Sequence, residues 1–422
     1  MRILFLTQII PYPPDAGPRV KTWHVLRYLA AQGHEVTLVS FVRPEEEQYV
    51  PVLRELCAAV HTVPIRRSRL ADVGYWLRSH LSGRPFLIER DDLSAMRRLL
   101  AGLAAQERFD AVHADQLGMA QFALPFKNGA SDSPVLVFDA HNAVWTIIER
   151  MRLNAPWMLR IPAAVEARRV KQYEGWIVRQ FDHTLAVTEP DRRALVDALQ
   201  STALNGGINP KSRPIHVIPI AVDTQALQPA RRKAGSKNIV TLGTLHYPPN
   251  ADGIRWFMKE VFPLVLEQEP DATLTVIGKN PPEDFARLAA QHAGRIEITG
   301  YVPDLDPYMD QAALMVVAVR AGGGMRVRIL EAFARAMPVV TTTVGLEGIE
   351  ALPGRDVLVA DAPEAFARNV VRLLRDPQLQ RRLAENGRRL AEEKYDWQVI
   401  LSKMDAVYQA ASELQVGAGI EV

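Results

Sequence analysis

Short apolar segments alternate with amphipathic stretches along almost the whole chain, a pattern typical of parallel α/β architecture. In the first half, the apolar runs predict seven strands, at residues 3–7, 35–41, 59–64, 111–114, 135–139, 184–187 and 215–218. Helical spacing fits between them, for example at residues 19–32 and 189–200, and Gly33 is placed to end the first helix as a C-cap.

The same pattern restarts after a polar, proline-bearing stretch, residues 224–237, which we interpret as a linker. Six more strands are predicted, at residues 238–243, 272–277, 296–299, 314–318, 338–342 and 356–360. Helices are predicted at residues 251–266, 282–292, 325–334 and 363–375. The chain therefore predicts two doubly wound α/β domains, which bind ligands at the carboxyl ends of their strands. The cleft between them is the expected site.

Composition narrows the classes of function. Fifty basic and 48 acidic residues in 422 give no basic bias, so nucleic acid is not an expected partner. The single cysteine, Cys57, excludes an intramolecular disulfide framework and suits the reducing cytoplasm; we expect it to be buried in a helix. The first residues are predicted to form a buried strand rather than an export signal. No run approaches the roughly 18 apolar residues that span a bilayer.

Two turns of the first domain could carry chemistry. The proline-rich loop 8–21 contains Gly17 and follows the first strand, so it either borders the ligand or is an ordinary connection. His141 follows a buried strand in the sequence DAHNAVW. It either orients a sugar hydroxyl and acts as an acid or base, or caps the next helix with help from Asn142.

Two turns of the second domain are also candidates. Gly243 and Thr244 follow its first strand, where a backbone can come close to a ligand. The backbone of Tyr301 and Val302 is placed to contact the edge of a nucleobase.

Asp304 and Asp306 form a D-x-D pair in the sequence TGYVPDLDPYMD. Such a pair either holds a divalent metal or caps a short helix. Because no histidine or further carboxylate stands nearby to complete a coordination shell, we favour capping and expect no metal.

The segment RAGGGMRVRILEAF is the strongest functional signal in the chain. It places in order, after an apolar strand, Gly322, Gly323, Gly324, Met325, Arg326, Arg328 and Glu331. Glycines and a helix N-terminus accommodate an anion, and arginines bind phosphate bidentately. Glu331 could accept hydrogen bonds from sugar hydroxyls. The segment thus predicts a nucleoside diphosphate site. Alternatively, Arg328 and Glu331 form a surface ion pair at helical spacing, worth under about 1 kcal/mol.

At these residues the chain resembles the GT-B glycosyltransferases of family four, and more closely the bacterial sugar transferase branch associated with exopolysaccharide loci. The matching segments occur in order over nearly the whole chain: PPDAGPRVKTWHVLRYLAAQGHEVTLVSF, LSGRPF, VIPIAVDTQALQP, LGTLHYPPNADGIRWFMKEVFPLV, TGYVPDLDPYM and RAGGGMRVRILEAFARAMPVV. The resemblance implies two Rossmann-like domains facing a central cleft. Residues 1–222 with a returning C-terminal helix, 398–422, would bind the acceptor, and residues 223–397 would bind the donor.

The resemblance also implies roles for single residues. Arg328, with Arg326 beside it, would grip the diphosphate, and Glu331 would bind the ribose. The loop at Gly17 would approach the donor phosphates, and His141 would face the transferred sugar.

In that family a glutamate stands at the position of Gly323 and touches the donor sugar or the departing phosphate. The chain departs from the family pattern there.

The expected function is that of a retaining glycosyltransferase, with His141, Arg326 and Arg328 as catalytic residues. It would move a sugar from a nucleoside diphosphate-sugar to a hydroxyl acceptor, without metal or other cofactor, in polysaccharide or glycoconjugate synthesis. A nucleotide-sugar epimerase of the same fold and a non-catalytic nucleotide-sugar-binding protein are the alternatives.

Two basic segments bear on the acceptor and the location. Residues 66–69 and 154–179 combine arginines with Trp157 and Trp176, as a peripheral membrane surface does. A lipid-linked saccharide acceptor and the cytoplasmic face of a membrane would fit this interpretation. Alternatively, these helices pack in the first domain and expose a solvated basic face.

Overall fold

The computed structural model of the chain describes residues 1–127, 133–153, 156–202, 213–292 and 294–409. Two compact units divide it: Met1–Pro219 with the chain from Leu401 onward, and Ile220–Ile400. The predicted domain boundaries, 222/223 and 397/398, lie a few residues from these division points. The end of the predicted C-terminal helix and the tail, residues 410–422, fall outside the described residues.

The first unit contains a sheet of seven parallel strands in the order β3-β2-β1-β4-β5-β6-β7. The strands are β1 (Arg2–Thr7), β2 (Glu35–Val42), β3 (Ala59–Pro64), β4 (Ala111–Asp115), β5 (Val135–Ala140), β6 (His183–Ala186) and β7 (Ile215–Val217). All seven predicted strands are present, and their ends agree within a residue. They form because β-branched and apolar residues run continuously where helices cover both faces of a sheet.

Nine α-helices of this unit are described. They are α1 (Gly17–Ala31), α2 (Val50–Leu56), α3 (Arg69–Ser82), α4 (Phe86–Asp91), α5 (Ser94–Gln106), α6 (Leu117–Ala123), α7 (Val144–Leu153), α8 (Trp157–Gln180) and α9 (Glu189–Thr202). Gly33 follows α1 with φ = +77°, which confirms the predicted C-cap. Cys57 is buried, as predicted, but it follows α2 in an extended conformation rather than lying within a helix. Burial raises the pKa of its thiol to about 12.

The second unit contains a sheet of six parallel strands in the order β10-β9-β8-β11-β12-β13. The strands are β8 (Asn238–Leu242), β9 (Thr273–Ile277), β10 (Ile296–Gly300), β11 (Ala312–Val317), β12 (Val339–Thr341) and β13 (Leu358–Val359). All six predicted strands are again present. The polar stretch 224–237 packs within this unit, where Thr224 Oγ1 donates to Asp396 and Arg232 Nη1 donates to Gln380.

The α-helices of the second unit correct two predicted boundaries. They are α10 (Pro248–Trp256), α11 (Phe262–Gln268), α12 (Glu283–Ala290), α13 (Asp306–Gln311), α14 (Val327–Ala334), α15 (Pro363–Arg375), α16 (Pro377–Leu390) and α17 (Trp397–Leu401). The predicted helix 251–266 is interrupted by a π-helical turn, Phe257–Val261. The predicted helix 325–334 begins at Val327, because Arg326 adopts a non-helical N-cap conformation.

The residues from Leu401 to the end of the described chain pack on the first unit. Tyr408 is buried, its hydroxyl lies 2.7 Å from His113 Nδ1, and Tyr28 donates to Asp405 over 2.8 Å. None of the described helices combines the length and hydropathy needed to cross a membrane.

Candidate active site

Each sheet reverses its strand order once, between β1 and β4 in the first unit and between β8 and β11 in the second. Open α/β sheets bind ligands outside the carboxyl ends of the strands at such a reversal. In the second unit, the loops that flank this point are those after β8 and β11. They contain Gly243 and Thr244 on one side and the glycine segment 322–324 on the other.

The glycine segment is a sharp turn between β11 and α14. Gly322 and Gly324 have φ values of +116° and +77°, which side chains with a Cβ rarely adopt. A Cβ placed on Gly322 would stand 3.6 Å from Pro249, so this loop lies against the first turn of α10. The turn aims the N-terminus of α14 at the end of the sheet, and the first N–H groups of a helix have no partner within it.

Arg328 and Glu331 lie one turn apart on α14 and form an ion pair, with 2.6 Å between Nη1 and Oε2. Their side chains are 27% and 15% exposed, so the pair is partly solvated and contributes no more than about 1 kcal/mol. The pairing that helical spacing predicted is therefore present. Because the ion pair is weak, it can break at little cost, and each side chain can then bind a ligand.

Arg326 folds back on the glycine turn. Its Nη1 donates to the carbonyl oxygens of Gly323 and Gly324, at 2.5 and 3.0 Å. These contacts hold the turn in shape and place a guanidinium charge at the start of α14. Met325, the residue between the turn and Arg326, is buried.

The ends of β8, β9 and β10 adjoin one another. Gly243 N–H donates to Ile277, and Gly278 N–H donates to Gly300, both across strand ends. The carbonyl of Thr244 accepts from the N–H of Tyr247, which begins the turn into α10.

Tyr301 and Val302 follow directly after β10. The Tyr301 side chain is 56% exposed, and the Lys279 ammonium lies 4.2 Å from the centre of its ring. The sequence-predicted residues of this unit therefore share the carboxyl edge of one sheet.

The D-x-D pair makes local contacts. Asp304 Oδ1 accepts from the N–H of Asp306, the first residue of α13, over 2.9 Å. Asp306 pairs with Arg335 at the end of α14. Capping is therefore right in kind but not in position: Asp304 bonds the first N–H of α13 from the residue before the N-cap, Leu305, which makes no side-chain cap bond.

In the first unit, the strand register aligns three polar residues at the carboxyl ends of adjacent strands. Thr7 pairs with Asp115, and Asp115 pairs with Asp139. All three are fully buried. A row of buried polar groups must find partners, because each one costs free energy without them.

The partner of Asp139 is Lys21 of α1, which is itself 1% exposed. Burial alone would raise the pKa of Asp139, but the Lys21 charge and the nearby His113, whose Nε2 lies 3.6 Å from Asp139 Oδ2, outweigh it and hold that pKa well below its ordinary value. Burial and the charge of Asp139 raise the pKa of Tyr408, which bonds the other side of His113.

The partner of Asp115 is His141, with 2.6 Å between Oδ1 and Nε2. The second oxygen of Asp115 accepts from Thr7 and Thr22, at 2.8 and 2.9 Å. This carboxylate therefore fixes the orientation of the His141 ring. Because Nε2 is bonded to Asp115, Nδ1 is the imidazole nitrogen that can form a hydrogen bond to a substrate.

The alternative that His141 caps α7 is wrong. The carboxylate of Glu174 instead accepts the first N–H groups of that helix, from Val144 at 2.7 Å and Trp145 at 3.0 Å. Burial raises the pKa of Glu174 to about 8 despite these two bonds.

Three of these buried groups come close enough to suggest a metal site. One ligand atom from each of His113, Asp115 and Asp139 lies within 4.8 Å of the others. Lys21 already contacts Asp139, and His141 already contacts Asp115. The cluster thus carries its own cationic partner, which makes it a poor fit for a divalent ion.

Gly17 is the first residue of α1, at the end of the loop after β1. The same helix carries Lys21 and Thr22, so the loop that the sequence singled out and the polar row belong to one region. Sequence reasoning missed Lys21 and Asp115. A signal existed, since Thr7, Asp115 and Asp139 stand at the last or next-to-last position of their strands, but only the register shows that they are neighbours.

Comparison with known proteins identifies the class. Residues 16–204 match the family model described as "Glycosyl transferase 4-like domain", and residues 236–376 match "Glycosyl transferases group 1". The chain therefore belongs to the glycosyltransferases that combine these two domains. This confirms the resemblance found in the sequence.

Among curated relatives, the chain is 28% identical to the MMP alpha-(1->4)-mannosyltransferase of Mycolicibacterium hassiacum over 74% of this chain and 73% of that protein. It is 24% identical to an uncharacterized 44.6 kDa protein in the cps region of Klebsiella pneumoniae, over 40% of this chain. That match spans 45% of the Klebsiella protein.

Solved structures share the fold over nearly the whole chain. The HepE protein of Anabaena in complex with UDP and glucose aligns with a TM-score of 0.66 at 14% identity, over 97% of this chain and all of that one. WaaG, a glycosyltransferase involved in lipopolysaccharide biosynthesis, aligns with a TM-score of 0.60 at 15% identity, over 96% and 99% of the two chains. The predicted GT-B fold, with two parallel-sheet α/β domains, is confirmed.

Proposed function

We propose that the protein transfers a sugar from a nucleoside diphosphate-sugar to a hydroxyl acceptor, with retention of anomeric configuration and without a metal. The observation that carries the proposal is the turn at residues 322–324, which delivers Arg328 and Glu331 together at the N-terminal half of α14. The structural relative HepE contains UDP and glucose, and the mannosyltransferase relative is named for the same kind of reaction.

In this proposal the second domain binds the donor. Arg328 and the N-terminal N–H groups of α14 bind the diphosphate, and Glu331 accepts the ribose hydroxyls. Departure of the diphosphate from the anomeric carbon sets the barrier, so preorganised positive charge at this position lowers it. Arg326 contributes by holding the glycine turn through its two carbonyl contacts.

The first domain presents His141 to the transferred sugar, with its ring oriented by Asp115. Gly17 marks the loop that approaches the donor phosphates. Gly323 supplies no carboxylate to the sugar. The acceptor hydroxyl belongs to a growing polysaccharide or glycoconjugate, as the cps-region relative and the lipopolysaccharide enzyme WaaG suggest. We propose that the reaction takes place in the cytoplasm and that the acceptor hydroxyl belongs to a lipid-linked saccharide.

Arg328→Ala tests the donor site. A thermal-shift screen of UDP-, GDP-, ADP- and dTDP-sugars first identifies a donor, because ligand binding stabilises the fold. Release of the nucleoside diphosphate in the presence of alkyl glycosides then measures turnover. We expect Arg328→Ala to lower kcat/KM about 100-fold or more, and Arg328→Lys to recover only part of it, because the ammonium lacks the bidentate fork. Arg368→Ala, at an exposed position of α15, is the matched control.

The same assay separates the rival functions. Normal transfer by Arg328→Ala would exclude the phosphate assignment. An epimerised sugar formed from donor alone would make the protein an epimerase, and binding without release on any acceptor would make it a scaffold. Inverted product by NMR, or activity lost with a chelator and restored by Mg²⁺, would contradict retention or metal independence.

A further inference from the structure

Exposed large apolar side chains concentrate on one part of the first unit. Of the seventeen such residues in the described chain, five lie between residues 70 and 81 on α3, and seven lie between residues 151 and 165, on the end of α7 and the first half of α8. Leu81 is 90% exposed, Trp157 78% and Ile161 76%. We call these twelve residues the apolar patch. Concentrations of this kind mark surfaces that a partner covers.

The parts of α3 and α8 that carry the apolar patch are exposed to solvent. Of the fourteen residues of α3, only Ser79 is buried, and residues 156–162 at the start of α8 are all exposed. A helix on the surface of a globular domain normally buries one apolar stripe against the core. The apolar residues of α3 and of the start of α8 do not pack against the core in this way. Packing within the domain therefore does not explain why these positions are apolar.

The two helical segments lie close to each other. Ser79 Oγ, near the end of α3, donates to the carbonyl of Arg84 over 2.7 Å, and the N–H of Phe86 two residues further on donates to Glu166 of α8 over 2.7 Å. Burial raises the pKa of Glu166, while the charges of Arg169 and His80 oppose that rise. The apolar patch is therefore shared by neighbouring helices of the same domain.

The two segments that carry the apolar patch contain an excess of arginine over acidic residues. Segments 66–82 and 144–169 contain nine arginines and three acidic residues, and the rest of the chain has a net charge of −4. Part of this charge is balanced: Arg67 and Arg78 pair with Asp91 and Glu89 of α4, and Arg152 pairs with Glu149 over 2.5 Å. Glu166 accepts the Phe86 N–H. A symmetric pair of copies joined through this surface would bring arginines against arginines. An anionic partner fits better.

We propose that the apolar patch docks the protein on an anionic lipid bilayer. Tryptophan, leucine and methionine side chains enter the boundary between head groups and acyl chains, while the flanking arginines contact lipid phosphates. This mode of binding needs no membrane-spanning helix. The proposal stands on the surface alone and does not depend on the transferase reaction.

Vesicle co-sedimentation of the full chain tests it. We expect binding to phosphatidylcholine vesicles containing about 30 mol% phosphatidylglycerol, weak binding to pure phosphatidylcholine, and loss of binding as salt is raised. Trp157→Ser with Ile161→Ser should lower the partition coefficient at least about tenfold. Arg69→Glu with Arg168→Glu should lower it about 25-fold or more, since each arginine charge near the surface contributes about fivefold.

The controls are single substitutions of the same two kinds on the second unit: Leu352→Ser, at a side chain 51% exposed, and Arg368→Glu, at an exposed position. Unchanged thermal midpoints and far-UV circular dichroism spectra show that each variant is folded. The proposal is overturned if the wild-type chain ignores anionic vesicles at low salt, or if control and patch variants bind equally. It is also overturned if sedimentation velocity without lipid shows a dimer that the patch substitutions abolish. A failure of donor turnover leaves this readout unaffected, so the two proposals fail separately.

Discussion

Replacing Lys21 by methionine removes the charge partner of a carboxylate that has no access to water. Lys21 and Asp139 are 1% and 0% exposed. Removing one member of a buried ion pair costs about 3–5 kcal/mol, because the remaining charge stays buried and unpaired. The same substitution at Lys394, whose ion pair with Glu350 is 51% and 70% exposed, should cost less than about 1 kcal/mol.

Hydrogen exchange measured by mass spectrometry can show in which domain the loss of folding stability occurs. In Lys21→Met, the slowest amides of β1, β4 and β5 should exchange about 100-fold to several thousand-fold faster, which is the factor that 3–5 kcal/mol represents. Amides of β8 and β9 in the other unit serve as an internal control. Lys21→Met combined with Asp139→Asn should recover most of the loss, since no unpaired charge then remains.

The dependence on pH gives an independent check. In the wild-type chain the pKa of Asp139 is depressed, so its contribution to stability is present above the unfolded value near 3.9 and is lost as pH falls below it. Without Lys21, burial dominates and raises that pKa, so the variant loses stability as pH rises. The deficit of Lys21→Met should therefore grow from about pH 4 upward. A deficit under about 1 kcal/mol, or one that does not change with pH, would refute the reasoning.

Two further predictions concern the ring that Asp115 orients and the packing of α10. Asp115→Asn should lower turnover about 10- to 100-fold and shift its pH profile, while affinity for the donor identified by the thermal-shift screen stays the same. His141→Gln is the reference variant, and unchanged turnover would remove His141 from the mechanism. Gly253→Ala should destabilise the second unit by about 1–3 kcal/mol, because its Cβ would stand 2.1 Å from the carbonyl oxygen of Ala318. Gly102→Ala is the control, because Gly102 lies in a helix and an added Cβ would meet nothing within 4 Å. This substitution should be neutral or stabilising by up to about 1 kcal/mol. Equal effects of the two alanine substitutions on thermal unfolding would contradict the steric argument.

The donor half of the candidate site could be predicted because its parts are contiguous in the chain. The glycine turn, Arg326, Arg328 and Glu331 follow one another within ten residues, so local rules of turns and helices suffice to place them together. What the sequence could not show is that Arg326 turns back to the carbonyls of Gly323 and Gly324. That choice depends on how the turn closes in three dimensions.

The sequence by itself determined the thirteen strands, the restart of the pattern after residue 237 and the glycine–arginine segment. Hydrophobic periodicity and backbone preferences act over a few residues, so they can be read along the chain. Only the tertiary structure decided that Lys21 meets Asp139 across 118 residues and that Asp115 orients His141 across 26. It also decided that the apolar residues of α3 and α8 face outward. Pairing register and burial are properties of the assembled sheet and its covering helices, and they bring together groups that no local pattern connects.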